Sequence, residues 1–331
     1  MSVKALRRLQ LGRETTAGTA VAATTIWRGT GVLEDQRETV FVEEDIGYLS
    51  GVDRTYQPKL LGALALESVP ATFEQLPHLL EMGVKAVGTG AADGAGSDKI
   101  YAYPLPTTAA NTLKTYTIEG GDDQEAEEME YCFAPDLTLE GKAGEAVMMS
   151  ATIQGRQVTV SAFTALALTT VEEILFSKGK LYIDAVSGTL GTTQKSNTLL
   201  DMSLKLATGW IPVWTADGQL YFTFVKSTPP EVVLSLTFEH DGTAAAEKVN
   251  WRAQTPRLIQ LKFEGAAVQT AGTAYSKKTL IVNLAGKWEK FDALGEQDGN
   301  DIIKATFRAR YNATAAKYAE LIVVNELATL P

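Results

Sequence analysis

Apolar and polar residues alternate along most of this chain in short runs with a two-residue period, the period of a strand that buries one face. In Ala146–Gln154 the alternation is clearest: Val147, Met149, Ala151 and Ile153 fall on one face, Ser150, Thr152 and Gln154 on the other. Strand-like runs of the same kind occupy Lys59–Ser68, Lys99–Leu105, Leu113–Glu119, Glu128–Phe133, Asp136–Gly141 and Gln157–Ala162. They continue through Lys180–Ala185, Leu200–Leu206, Gln219–Lys226, Val232–Glu239 and Ala246–Arg252. Arg257–Glu264, Lys278–Leu284, Lys304–Tyr311 and Ala319–Asn325 complete the series. Many short strands with few helices predict a mainly β chain of sandwich or barrel domains.

One segment has helical spacing. Thr72 stands in an N-cap position with Gln75 three residues on, and Phe73, Leu76, Leu79, Leu80 and Val84 share a face. Pro77 would disturb a helix begun at Thr72, so the helix is expected mainly over Pro77–Met82, ended by Gly83, covering one face of a sheet. Met1–Ala23 has no period and reads as an extended arm, and Gly88–Asp98 reads as a mobile loop.

A weak self-similarity links the two halves. Leu113–Gly120 (LKTYTIEG) matches Val233–His240 (VLSLTFEH), with Thr117 against Thr237, Glu119 against Glu239 and, further on, Tyr131 against Trp251. Pro135–Gly141 then matches Pro256–Gly265, and Ser150–Arg156 (SATIQGR) matches Ile281–Lys287 (IVNLAGK). The ordered matches imply two tandem copies of one β module, over residues 1–175 and 176–331, with the helix confined to the first. A length of 331 residues also exceeds what one core usually covers.

Charge narrows the function. With 40 acidic and 30 basic residues, the formal charge of −10 argues against gripping nucleic acid, because phosphate binding rests on Lys and Arg. It suits a conduit that must not retain a polyanion. No apolar run approaches the length of about 18 residues that spans a membrane, and the opening MSVKALRRLQLGRE lacks the apolar core of a secretory signal. The single cysteine, Cys132, reads as a buried, inert thiol.

Candidate chemistry is sparse. His78 and His240 are far apart and read as structural, with no Ser/His/Asp arrangement and no His/Cys spacing for a metal. Gly88–Gly96 lacks the lysine of a phosphate loop, and Glu296–Asp301 departs from the calcium-loop pattern and reads as an Asp-Gly turn. These absences point away from an enzyme and from any cofactor. Trp210, Trp214, Trp251 and Trp288 suit packing, with a carbohydrate platform as the rival reading. The acidic run Asp122, Asp123, Glu125, Glu127, Glu128 and Glu130 admits three readings. It is a solvated hairpin tip, a ring of carboxylates on a lumen, or a contact with basic residues of a neighbour. Arg7 and Arg8 are candidate partners by charge.

The chain also resembles the tail tube (major tail) proteins of long-tailed bacteriophages. Gly12–Ala20 (GRETTAGTA) is similar to an early segment of that family, and Tyr116–Gly120, Pro135–Gly141 and Thr152–Arg156 to its middle. Gly179–Asp184 with Gly191–Gln194, Leu206–Trp210, and Tyr311–Asn325 extend the likeness. The resemblance implies tube-like modules that form stacked rings around a lumen conducting DNA without specific binding. Two modules per chain would let three subunits make a pseudo-sixfold ring, with six subunits as the other option. Its implied partners are copies of itself and the tape measure, terminator and distal tail proteins, in a virion tail built in the host bacterial cytoplasm, without a membrane. Alternatives are a tail terminator, a decoration protein, the tube of a contractile injection device, or a carbohydrate-binding adhesion module.

Overall fold

The computed structural model describes residues 3–331; Met1 and Ser2 of the expected arm lie outside the described residues. The chain is mainly β, with large antiparallel sheets. In the first half come β1 (Arg8–Arg13), β2 (Thr25–Ile26), β3 (Leu33–Asp35), a hairpin of β4 (Val40–Phe41) and β5 (Thr55–Tyr56), and β6 (Gly62–Pro70). Helix α1 (Leu76–Gly83) follows, then β7 (Ala91–Ala92), β8 (Lys99–Pro104), β9 (Tyr116–Gly121), β10 (Ala126–Lys142), β11 (Met148–Gly155) and β12 (Val158–Ser161). The second half has β13 (Gly179–Ala185), β14 (Gln194–Lys195), β15 (Leu199–Ala207), a hairpin of β16 (Trp210–Val213) and β17 (Phe224–Ser227), and β18 (Glu231–Glu239). Helix α2 (Gly242–Arg252) precedes β19 (Arg257–Ala267), β20 (Lys277–Phe291), β21 (Gly295–Gln297), β22 (Asn300–Ala309) and β23 (Ala319–Asn325).

Eight of these strands form one sheet in the order β3–β6–β11–β10–β15–β18–β22–β20. Two of its members are long enough to bend out of it. The first part of β10 lies between β9 and β12, with β1 and β2 beyond β9. The first part of β20 lies between β19 and β23, with β13 and β14 beyond β19. Strands β8 and β7 extend that last sheet past β23. The pairings join without interruption. Even so, among the described residues no strand pairs with the outer edge of β3 or with the outer edge of the last part of β20.

The pairing scheme of the first half recurs in the second. Leu64 of β6 sits between Leu33 and Ile153, and Leu234 of β18 sits between Leu204 and Phe307. Just past β11, the Arg156 N–H returns to Glu130 O (2.9 Å); just past β22, the Arg310 N–H returns to Ala285 O (2.8 Å). These anchors make β3, β6, β11 and β10 the counterparts of β15, β18, β22 and β20. The match therefore differs from the one expected from the sequence: β9 answers to β19, not to β18. The halves are not packed separately, because one apolar cluster includes Leu64, Leu139 and Ile153 together with Leu204, Leu234 and Phe307.

Several expectations need correcting. Ala246–Arg252 is not a strand but the body of α2, so the first helix does have a counterpart. Asp241 caps α2 by accepting from Thr243 N and Ala244 N, and alanine-rich sequence favours the helix once its first amides are satisfied. The arm is not merely extended, since β1 pairs with β9 and β2 inside the molecule. Glu128–Phe133 and Asp136–Gly141 are one bent strand. Gly88–Asp98 is tied down, with the Asp93 carboxylate accepting from Ala274 N and Tyr275 N. Of Gln219–Lys226, only the end lies in β17. Pro77 falls in the first turn of α1, where its missing N–H costs nothing, while Thr72 Oγ1 accepts from Gln75 N one turn earlier.

Candidate assembly interface

The two halves meet along a strand pair whose construction is fully visible. Asp136–Lys142 of β10 pairs antiparallel with Asp201–Ala207 of β15 through seven residue pairs. Thr208 N to Pro135 O and Ala143 N to Leu200 O continue the ladder at both ends. Leu137, Leu139, Leu204 and Leu206 are buried on one face. On the other, Ser203 Oγ donates to Glu140 and Lys142 lies opposite Asp201.

A hairpin clasps this junction. Strand β15 turns back at Gly209 (φ 83°), where a Cβ would stand 2.3 Å from Thr228 O, so only glycine fits. The β16–β17 hairpin then reaches across to the first half. Trp210 Nε1 donates to Gly83 O (2.8 Å) at the end of α1. Phe222, fully buried, meets Tyr131 and Phe133 edge to face. Arg156 donates to Phe222 O and Thr223 O (3.1 and 2.7 Å), its guanidinium 4.6 Å from the Tyr131 ring.

At the two ends of the eight-stranded sheet the counterparts of these surfaces have no strand paired to them among the described residues, although Trp251 of α2 donates to Glu289 O on β20 and Arg37 past β3 donates to Val158 O. Along β3, Glu67 N to Thr30 O and Gln36 N to Leu61 O turn the even-numbered residues toward β6, so the polar groups of Leu33 and Asp35 face outward. Along the end of β20, Asp292 N to Lys304 O turns the groups of Phe291 and Ala293 outward. Val32 and Leu294 expose about half their surface beside these edges. An unpaired, partly apolar strand edge is a template for another strand.

One face of the eight-stranded sheet is polar. It carries Asp136, Glu140, Asp201 and Glu231 among Lys142, Lys205, Lys304 and Arg308, with Ser150, Thr152, Ser203, Ser235 and Thr306 between them. Arg308 is shared by Glu231 and Glu289. The opposite face carries the core.

The acidic residues singled out in the sequence lie elsewhere, on the β9–β10 hairpin. Asp123 and Glu125 are exposed, Asp122, Glu127 and Glu128 half-buried, and Glu130 buried. Their surroundings are largely internal: Asp122 Oδ1 accepts from Gln124 N and Glu125 N, Glu128 from Ser161 Oγ, and Glu130 from Gln157 Nε2. Burial holds the Glu130 carboxyl above its usual range, as it does that of Glu127, where Glu125 and Asp35 add to the effect. Arg8 lies opposite Gly121 on the neighbouring strand, close to this hairpin, with its guanidinium over Phe163 (4.7 Å); Arg7 is exposed one residue before it.

Buried carboxylates elsewhere hold loops. Glu14 accepts from Gly18 N, Tyr131 N, Thr115 and Thr117; Glu119 accepts from Ala23 N and Thr164. Glu81 on α1 pairs with Arg13 and accepts from Tyr116, and Glu247 on α2 pairs with Arg257 and accepts from Trp288 Nε1. Cys132 is free and buried, and burial pushes its thiol up. Among the described residues no three His, Cys, Asp or Glu side chains cluster as metal ligands, and no helix is long and apolar enough to cross a membrane. Exposed strand edges that join sheets into a continuous barrel are an expectation of the tail-tube resemblance, but the sequence does not place them on β3 and β20, since alternation marks a strand and not which of its edges is paired.

No family model matches the chain, and no match to it was found among curated proteins.

Proposed function

We propose that this protein is a structural subunit that joins copies of itself into rings, stacked as the tube of a phage tail through which DNA passes. The observation that carries the reading is the β10–β15 junction, because the chain contains one finished copy of a contact whose two halves recur unpaired at its ends. Each half offers four strands to the sheet, and the free edges differ, so one copy's β3 can meet the next copy's β20. Such a heterologous contact makes rings when its rotation closes.

The junction's register transfers directly. It sets Lys290–Leu294 against Gln36–Val32 of the next copy, with Phe291 opposite Asp35 and Ala293 opposite Leu33. In that register the outward polar groups of both edges face each other, which a one-residue slip would prevent. Three copies would contribute 24 strands. At a spacing of about 4.8 Å and a tilt of about 40°, they close into a barrel about 48 Å across the backbone, leaving roughly 40 Å inside. A DNA duplex about 20 Å wide passes such a bore, whereas six copies would double the width. The mixed polar face, whose named acidic and basic side chains balance, is the lumen wall in this arrangement, and it offers no net attraction to phosphate. Tape measure, terminator and distal tail proteins are the partners the reading implies at the ends of the tube, in the virion.

Val32→Cys with Leu294→Cys tests this. The two positions form a non-hydrogen-bonded pair, in which Cα atoms stand about 4.5 Å apart, close enough for a disulfide. Mild oxidation is expected to give a ladder of linked chains ending at a closed trimer, with hollow rings in negative stain. Monomers alone, at high concentration and with both cysteines still reactive, overturn the proposal.

A further inference from the structure

The β4–β5 hairpin stands where the β16–β17 hairpin stands in the second half, between the edge strand and the next strand of the sheet. Its environment is the reverse. The β16–β17 hairpin buries Phe222, whereas the β4–β5 hairpin leaves Phe41, Tyr48, Leu49 and Tyr56 exposed, Tyr48 by 74%. The seat of Phe222 also has a counterpart. It lies beside the bend of β20 and the residue after β22, and it is a groove of about 300 Å³ lined by Pro256, Trp288, Arg310 and Tyr311, among others. Arg310 is the counterpart of Arg156. Where Arg156 binds two hairpin carbonyls, the Arg310 guanidinium has no hydrogen-bond partner among the described residues.

We infer that the β4–β5 hairpin of one copy seats in the groove beside Trp288 and Arg310 of the next. Charge supports the pairing independently. The hairpin carries Glu43, Glu44, Asp45 and Asp53 against Arg54, and the groove carries Lys287 and Arg310, beside Arg308, which Glu231 and Glu289 already hold. An acidic, apolar-tipped hairpin thus faces a basic, aromatic groove, and Arg310 takes hairpin carbonyls as Arg156 does. The inference rests on the ring reading but is separable from it, since edge pairing alone would close a ring.

The test places a photo-crosslinking benzoylphenylalanine at Leu49 in the full-length chain, under conditions where the Val32→Cys/Leu294→Cys ladder has been scored. Adducts are expected between chains, in peptides containing Trp288 or Arg310–Asn312. In parallel, Arg310→Ala is expected to raise the concentration needed for assembly at least tenfold while leaving the melting of the unassembled chain unchanged. A ladder with Leu49 adducts on any other surface, or with Arg310→Ala assembling normally, overturns the hairpin contact and leaves the ring standing. Absence of the ladder removes the ring reading and this contact with it.

Discussion

Two strand edges hold equivalent positions in the two halves. The last part of β10 is covered by β15 and clasped by the β16–β17 hairpin; the last part of β20 has neither cover. The helices beside them follow suit. Every residue of α1 is buried, whereas only Ala244 and Glu247 of α2 are. One architecture, finished on one side and open on the other, is what a subunit that continues into its neighbour requires. A self-contained β domain would instead blunt its edges.

The largest effect should separate the two hairpins. Phe222→Ala empties a fully buried aromatic site against Tyr131 and Phe133, and is expected to cost the unassembled chain about 3–5 kcal/mol in urea unfolding. Leu49→Ala, at the exposed tip of the other hairpin, should change the same quantity by less than about 0.5 kcal/mol and act on assembly instead. Equal costs for the two would dissolve the distinction between a filled and an empty seat.

Acid should distinguish the buried helix next. His78 on α1 is fully enclosed, and its Nδ1 lies 3.0 Å from the Tyr116 hydroxyl, which itself donates to Glu81. Desolvation lowers its pKa from 6.5 to about 4; Glu81 opposes the shift and Arg13 adds to it. A folded-state pKa below the unfolded one means that the unfolded chain binds the extra proton first. The stability is therefore complete above pH 6.5 and is lost as pH falls toward 4, by on the order of 3 kcal/mol. Helix α2 contains no histidine. Urea midpoints followed across this range should slope for the natural chain and flatten in His78→Gln; a slope that survives the substitution assigns the acid step elsewhere.

How much of this was legible in sequence depends on which physical signal each part leaves. Strands with one buried face, such as β11 and β23, print their period on the chain, and the strand expected over Ala319–Asn325 coincides with β23. The Asp-Gly turn was also readable, with Asp298 and Gly299 both at positive φ between β21 and β22. Pairing partners leave no such print. The apparent match of Leu113–Gly120 to Val233–His240 reflects two strands of similar composition in different places of the scheme. The true correspondences, Leu64 with Leu234 and Arg156 with Arg310, lie in unlike local sequence. The acidic run stood out by charge alone, whereas the open edges consist of ordinary residues distinguished only by what fails to cover them.

Helix α2 was missed for a related reason, and it supplies the smallest test. Its apolar residues do not form a buried stripe, so periodicity was silent; what starts it is Asp241, whose Oδ1 accepts from Thr243 N and Ala244 N (2.8 and 2.9 Å). The first residue of α1 has no side-chain cap of this kind and relies on enclosure. Asp241→Ala should therefore cost about 1 kcal/mol in the unassembled chain, with the loss of helical signal confined to α2, and Asp241→Asn should restore most of it because amide oxygens cap almost as well. A loss well above that figure would mean that α2 is already fastened by packing, and the contrast between a closed and an open end would weaken accordingly.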